Sequence, residues 1–135
     1  MRILLDSCVI ISFFVADEHT QKAEQVFVKI FNGNVRAFVT PLVLAEVCGA
    51  IRRNNGKEKA KFVLKELQSW LSKDLLDFIG SLGKDPFGAC FLAVEYGVKG
   101  ADALIAITAK QHELSFVTFD TKLKEKIKDE VVFYE

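Results

Sequence analysis

The sequence predicts an α/β fold in which a mainly parallel sheet of about four to five strands is flanked by helices on both faces. Short apolar or β-branched runs alternate with longer stretches of helical periodicity, and parallel strands need such crossovers between them. The chain has 135 residues, 50% of them hydrophobic, which is a common size for one domain. No stretch rich in Pro, Gly or Ser divides it. We therefore expect a single domain spanning residues 1–135.

The strands are predicted from short apolar and aromatic runs. Helical periodicity follows each of the segments Arg2–Leu5, Val35–Thr40 and Ser115–Phe119, and Val131–Tyr134 would close the sheet. The segment Leu75–Ile79 is too short to settle its period, and we favour a strand there over the end of a helix.

Helices are predicted where apolar residues recur at helical spacing between start and stop signals. The segments are Val9–Val15, Thr20–Asn32, Pro41–Arg53, Lys57–Ser72, Pro86–Tyr96, Ala101–His112 and Lys122–Lys128. The first of them is apolar on almost every face, so it is either deeply buried in the chain's own core or partly covered by another chain. The 12 Phe residues are scattered and are expected first as core filling.

Composition disfavours several classes of protein. No apolar run approaches the roughly 20 residues that span a bilayer, and Asp6 interrupts the first one, so we expect no membrane role and a cytoplasmic location. Cys8, Cys48 and Cys90 match neither a disulfide framework nor a zinc site, and we expect small buried hydrophobes. The 18 Lys and Arg residues balance 18 Asp and Glu residues, so contacts with nucleic acid must come from local patches.

Four separated acids are expected at one edge of the sheet. Asp6 and Asp120 directly follow strands, Glu46 lies in the second turn of the helix after another strand, and Asp102 opens the helix before the last central strand. Open α/β sheets bind ligands at this edge, beyond the carboxyl ends of the strands. Two carboxylates 4 Å apart repel by roughly 4 kcal/mol at an effective dielectric near 20, so converging acids need a cation. Oxygen ligands favour Mg²⁺ or Mn²⁺ over zinc, and such a site suits phosphate chemistry.

Three of the acids also have an ordinary structural explanation. Asp6 and Asp102 could accept hydrogen bonds from amides at the N-termini of helices, a role for which Asp is favoured. Asp120 could be a turn or cap residue before the lysine-rich helix.

Glu46 is harder to explain structurally. It is the only charged residue in segment 41–51, which is apolar on nearly every face of a helix and so is expected to be buried. A buried unpaired carboxylate is costly and needs a cation, a positive partner or a raised pKa. The structural alternative is an ion pair with Arg52 or Arg53.

The combined pattern resembles the PIN-domain ribonucleases, and it looks most like the VapC toxins. The resemblance extends over essentially the whole chain. In order, it rests on Ile3-Leu4-Leu5-Asp6-Ser7, Glu46 within Pro41–Arg53, Gly100-Ala101-Asp102-Ala103-Leu104-Ile105-Ala106, and Val117-Thr118-Phe119-Asp120. It implies a PIN-like fold and a metal-dependent endoribonuclease that hydrolyses RNA phosphodiester bonds, as the toxin of a VapBC-type toxin–antitoxin pair.

The resemblance also implies roles for individual residues. The metal-binding and catalytic acids would be Asp6, Glu46, Asp102 and Asp120, supported by hydroxyl groups of Ser7 and Thr118. The three aspartates would hold the principal Mg²⁺ or Mn²⁺, and Glu46 would join a second ion or orient the attacking water. Phe119 departs from the small or polar residue often found at its position, which affects the expected substrate contacts.

Three partners are implied in the same way. They are an RNA substrate, a cognate antitoxin that crosses a hydrophobic groove and blocks the metal site, and a second copy in a homodimer. Arg52 and Arg53 are possible RNA contacts, whereas the lysine-rich helices more typically present solvated faces. His19 and His112 lie outside the acidic motifs, and we expect ordinary surface or helix-end roles for both.

Other classes with acids at strand ends fit less well. A receiver-type signalling domain needs an adjacent acidic pair after the first strand, and a haloacid-dehalogenase-like phosphatase needs an Asp where Cys8 stands. The remaining alternative is a non-catalytic or RNA-processing PIN domain that acts as an RNA-binding or complex-forming module. The intact set of four acids argues against it.

Overall fold

A parallel sheet of four strands forms the centre of the fold. The structure is a computed structural model that describes residues 1–80 and 85–135. The strands are β1 (Arg2–Leu5), β2 (Arg36–Val39), β3 (Asp77–Phe78) and β4 (Ser115–Val117). Their order is β3-β2-β1-β4, and every neighbouring pair is parallel. The predicted α/β fold with a parallel sheet is confirmed.

The last predicted strand, Val131–Tyr134, is reduced to a bridge. Phe133 pairs in parallel with Phe116 of β4. The Phe116 N–H donates to the Val132 carbonyl at 2.8 Å, and the Tyr134 N–H donates to the Phe116 carbonyl at 3.0 Å. Because both hydrogen bonds involve the backbone of Phe116, the pairing does not extend into a strand. The segment still covers the edge of β4.

Strand β1 is covered on both faces. Successive side chains of a strand point to opposite faces of the sheet, and Ile3, Leu4 and Leu5 are all completely buried. Helices therefore pack against both sides of the sheet, as predicted.

Seven helices connect and flank the strands in the described residues. They are α1 (Ser7–Phe14), α2 (Thr20–Phe31), α3 (Pro41–Asn55), α4 (Lys57–Ser72), α5 (Gly88–Tyr96), α6 (Gly100–Gln111) and α7 (Thr121–Ile127). Helix α1 begins two residues earlier than predicted because Asp6 accepts a hydrogen bond from the Ser7 N–H and caps the helix. Helix α5 begins at Gly88 instead of Pro86, after a turn in which the Phe87 N–H donates to the Asp85 carboxylate.

Helix α3 buries a single stripe. Only Val43, Val47 and Ile51 are buried, at the spacing of one helix face, whereas Pro41 and Ala45 are exposed. The expectation that this segment is buried is therefore met fully only along this stripe, whereas Leu42, Leu44 and Cys48 are partly buried where α3 packs against the core.

The aromatic residues divide between core and surface. Phe13 and Phe14 of α1 contact the rings of Phe27 and Trp70, which joins α1, α2 and α4. Helix α1 buries Val9, Ile10 and Ser12, whereas its remaining apolar side chains are half-buried. The helix is therefore only partly buried in the core of this chain. The expectation that Phe residues mainly fill the core is wrong for five of them: Phe31, Phe62, Phe78, Phe87 and Phe91 are between 41% and 71% exposed.

Among the described residues, each helix is too short or too polar to cross a bilayer.

Candidate active site

The register of the sheet brings the ends of β1 and β4 together. Leu5 pairs with Val117, so the next residues along each strand, Asp6 and Thr118, lie side by side. The Asp6 N–H continues the ladder to the Val117 carbonyl at 3.0 Å, and the Thr118 hydroxyl donates to Asp6 Oδ2 at 2.7 Å. Asp6 is only 6% exposed. The side chains of Thr118 and Asp6 are therefore joined by a direct, buried hydrogen bond.

Ser7 and Cys8 complete the contacts of the Asp6 carboxylate. The backbone N–H of Ser7 donates to Oδ1 at 2.8 Å, so the contact of Ser7 with Asp6 is made by its amide. The Cys8 thiol lies 3.7 Å from Oδ2 and 3.5 Å from the Thr118 hydroxyl oxygen. It also accepts a hydrogen bond from the Phe119 N–H at 3.4 Å. Cys8 is thus part of a polar network, which its interpretation as a small buried hydrophobe missed.

Burial keeps the Cys8 thiol protonated. It raises the thiol pKa to about 11, and the negative charge of Asp6 adds to the shift. A neutral thiol can donate to the carboxylate while it accepts from the backbone. The only feature of the sequence that indicates this role of Cys8 is its position two residues after Asp6, in the first turn of α1.

Asp120 caps the last helix beside the same threonine. Its Oδ1 accepts the Leu123 N–H at 3.0 Å, and its own N–H donates to the Thr118 hydroxyl at 3.2 Å. The carboxylate is otherwise exposed. The structural explanation as helix caps is therefore correct for both Asp6 and Asp120, and it leaves their charges at the same edge of the sheet.

Glu46 is half-buried and carries an unsatisfied oxygen. Its Oε1 atom is buried and has no hydrogen-bond partner among the described residues. No ion pair joins Glu46 to Arg52 or Arg53 in that part of the chain, and both arginines are exposed. The Arg53 guanidinium instead lies against Gly49, where a Cβ would be 3.1 Å from Nη1. The structural alternative for Glu46 is therefore wrong.

Asp102 lies in the first turn of α6 without occupying its cap. The cap position belongs to Lys99, whose carbonyl accepts the Ala103 N–H at 2.9 Å. The positive charges of Lys99 and Lys126 counteract part of the rise in the Asp102 pKa. Lys99 was not singled out from the sequence, and Lys126 was expected only as part of a solvated, lysine-rich helix, because their approach to Asp102 depends on how α6 and α7 pack.

Burial and mutual repulsion raise the pKa values of Asp6, Glu46 and Asp102. Burial is the largest cause that raises the pKa values of Asp6, Glu46 and Asp102. The charge of Asp120 raises the pKa of Asp6, and the charge of Asp6 raises those of Glu46 and Asp102. Glu46 is also repelled by Asp102. Hydrogen bonds from Thr118, Ser7 and Cys8 oppose the shift at Asp6. The four acids therefore form one electrostatic cluster.

The cluster is looser than a closed coordination sphere. Within residues 1–80 and 85–135, no three His, Cys, Asp or Glu side chains form a group that could hold an ion as they lie. Electrostatic repulsion between carboxylates acts over longer distances than metal–ligand bonds. The acids can therefore affect one another's pKa values without yet lying close enough to hold an ion. Mg²⁺ usually keeps several waters and binds through one or two carboxylates. The unsatisfied Glu46 oxygen and the donor set of carboxylate oxygens fit such a hard ion.

Comparison with known families identifies the fold and the class of protein. The family model of the PIN domain matches residues 3–128. The chain belongs to the PIN-domain family, and its predicted resemblance to that family is confirmed. Comparison with curated protein sequences finds no match.

Three solved structures, one of them a toxin–antitoxin complex, have the same fold. A chain of VapBC2 from Rickettsia felis, crystallised with a DNA fragment from its promoter, is 18% identical with a TM-score of 0.74, over 99% of this chain and 98% of that one. A toxin–antitoxin complex from Klebsiella pneumoniae gives 22% identity and a TM-score of 0.70, over 98% of each chain. FitAcB from Neisseria gonorrhoeae is 20% identical with a TM-score of 0.72, over 99% of this chain and 97% of that one. At these identities the likeness establishes the fold.

Proposed function

We propose that the chain is a metal-dependent endoribonuclease that hydrolyses RNA phosphodiester bonds as the toxin of a VapBC-type pair. The proposal rests on one observation above all. Glu46 holds a buried oxygen with no hydrogen-bond partner in the described structure, beside Asp6 and Asp102, whose charges repel it. Such an arrangement is costly for folding alone, and a cation removes the cost.

The proposed roles follow from what each side chain contacts. Asp6, held by the Thr118 hydroxyl, binds Mg²⁺ or Mn²⁺ together with Asp102 and Asp120. A divalent ion bound there lowers the pKa of a water and polarises a phosphoryl oxygen. The unsatisfied oxygen of Glu46 accepts a hydrogen bond from the attacking water or joins a second ion. Hydrolysis would leave a 5′-phosphate and a 3′-hydroxyl.

A cleavage assay tests this proposal. The purified chain should cut single-stranded or looped RNA with Mn²⁺ or Mg²⁺ and stop when the metal is chelated. Asp6→Asn should lower the rate at least a hundredfold while the protein remains folded by circular dichroism, because it removes a metal ligand. The matched control is Asp129→Asn, at an exposed position after α7, which should cut as fast as the parent. No cleavage by the parent under any metal condition would favour the non-catalytic, RNA-binding or complex-forming alternative.

The proposed antitoxin covers an aromatic surface beside the acidic site. The rings of Phe14 and Phe31 pack on Trp70, and the ring of Phe62 packs on Phe14. Phe31 and Phe62 are 41% and 52% exposed. Helix α1 runs about 12 Å from this surface back to Asp6. A chain lying along α1 would therefore cover the aromatic rings and the acids together. The similar folds in antitoxin complexes support this partner.

The proposed homodimer covers a different surface, on α5. Phe87, Phe91 and Val94 are 71%, 71% and 86% exposed there, and their spacing of four and three residues places them on one face of the helix. Light scattering should find a dimer that Phe91→Ser weakens. A parent chain that is monomeric at high concentration would contradict this part of the proposal. The chain is proposed to act in the cytoplasm, where RNA and an antitoxin would both be available.

A further inference from the structure

A cavity lies next to the acidic site and shares one wall with it. It has a volume of about 320 Å³ and lies between α2, the turn after β4 and the C-terminal segment. Val117, Thr118 and Phe119 form one wall of it. Thr118 also donates a hydrogen bond to Asp6, so a ligand in this cavity lies one residue away from the acid cluster.

Aromatic rings line the cavity on two sides. The rings of His19 and Phe119 pack with centroids 5.1 Å apart and an angle of 31°. Tyr134 lines the cavity from the C-terminal segment, and its hydroxyl lies 3.3 Å from the Lys29 Nζ. Aromatic and imidazole rings are the groups on which proteins stack unpaired nucleic-acid bases. His19, for which an ordinary surface role was expected, thus lines the cavity together with Phe119.

The charges of the cavity are opposite to those of the acidic site. Lys22, Lys29 and Lys124 line it, and the one carboxylate among its lining side chains is Glu135, 4.0 Å from Lys124. The four acids nearby repel the phosphates of any nucleic acid when no metal is bound. Binding energy for a polyanion must therefore come from positive groups beside them, and these lysines are adjacent.

We propose that this cavity binds one nucleotide of a single-stranded RNA substrate next to the phosphate that is cleaved. The base stacks against Phe119 and His19, and the phosphate contacts the lysines. The volume is at the lower end of the range for small-ligand pockets, which suits a single unpaired nucleotide. This inference rests on the proposed ribonuclease function and adds the site that would position its substrate.

Binding of a labelled RNA octamer tests the proposal. The measurement is fluorescence anisotropy with Mg²⁺, in the inactive Asp6→Asn chain. In that background, Phe119→Ala should weaken binding about tenfold, because it removes a stacking face. Phe119→Tyr keeps the ring and should restore the affinity.

Lysine variants test the charge of the cavity separately. Lys22 lies on the exposed face of α2, so the Lys22→Ala variant should fold normally. The test therefore remains valid even if the Phe119→Ala variant does not fold. It should weaken binding several-fold and lower the slope of log affinity against log salt concentration by about one. Lys65→Ala, on the exposed face of α4, is the control and should leave affinity and slope unchanged.

The outcomes separate this inference from the proposed function. If the parent cleaves RNA but Phe119→Ala and Lys22→Ala bind the octamer as well as their background, the nucleotide site is wrong and the ribonuclease stands. That result would leave the cavity to an acidic segment of a protein partner. If the parent neither binds nor cleaves RNA, both proposals fail.

Discussion

The Asp6 carboxylate is held by hydrogen bonds from two sides. It caps α1 through the Ser7 amide and is fixed from the other side by the Thr118 hydroxyl. Both contacts favour its charged form, yet burial still raises its pKa. The residue is thus held in one orientation and remains electrostatically strained, which is the condition a metal ligand should meet before its ion binds.

Glu46 is expected to destabilise the metal-free chain. A raised pKa in the folded state means that the charged form is penalised, and the penalty grows as the pH rises from about 4. Glu46→Gln should therefore raise the free energy of unfolding at pH 8, with metal chelated, by about 1 kcal/mol. The gain should shrink towards zero near pH 4, where the parent carboxyl is protonated.

Urea unfolding at several pH values measures this effect of Glu46. The control is Glu24→Gln on the exposed face of α2, which should change stability little at any pH. A Glu46→Gln chain that is less stable than the parent at pH 8 would mean that the charge is satisfied and the interpretation wrong.

Cys8 is expected to position Asp6. Cys8→Ala removes both the thiol donor to Asp6 and the acceptor of the Phe119 N–H, and should weaken Mn²⁺ binding about tenfold, as losses of such supporting contacts do. Cys8→Ser retains a donor and acceptor and should recover most of the affinity. Equal Mn²⁺ affinity for the parent and Cys8→Ala, measured by calorimetry, would reduce Cys8 to a packing residue.

The acids of the candidate site were predictable from their places relative to the predicted strands and helices. Asp6 and Asp120 come directly after strands, and Glu46 is the lone charge of an apolar helix segment. The contacts of Cys8 were not predictable, since its thiol meets Thr118, which is 110 residues away in the sequence. The suggested pairing of Glu46 with an arginine failed because Arg52 and Arg53 lie farther along α3, where both are exposed and the Arg53 guanidinium lies against Gly49.

At the scale of elements, capping and register set the boundaries that sequence periodicity left open. Asp6 starts α1 early, while β4 ends at Val117 because Thr118 turns its hydroxyl to Asp6. Helix α5 ends at Tyr96 because Gly97 follows it with a φ of +68°, a left-handed conformation that favours glycine. The parallel sheet follows from the alternation of strands and helices, but the reduction of Val131–Tyr134 to one bridge depends on tertiary packing.

The contact between α5 and α6 leaves no room at Gly88. A Cβ there would lie 2.8 Å from Cγ1 of Ile107, so Gly88→Ala should push the helices apart and lower the free energy of unfolding by about 1–3 kcal/mol. Gly100→Ala is the matched control on α6, because its Cβ would meet nothing within 4 Å. Urea unfolding of both variants gives the comparison. Equal stability for both would show that the helices are not packed as described.

At the scale of the whole molecule, a balanced net charge conceals two regions of opposite sign. The acids converge at the carboxyl ends of the strands, and lysines of α2 and α7 line the neighbouring cavity. Composition alone indicated neither, since 18 positive residues cancel 18 negative ones. The parallel register of β1 and β4 explains why motifs far apart in the sequence meet.

The central claim is that four acids form one divalent-cation site, and equilibrium binding of Mn²⁺ tests it most directly. Electron paramagnetic resonance of free Mn²⁺ should reveal one or two bound ions per parent chain. Asp6→Asn and Asp102→Asn should each weaken binding at least tenfold, whereas Asp129→Asn should not. Mn²⁺ binding that is absent at millimolar concentration, or equal in the parent and both site variants, would contradict the claim.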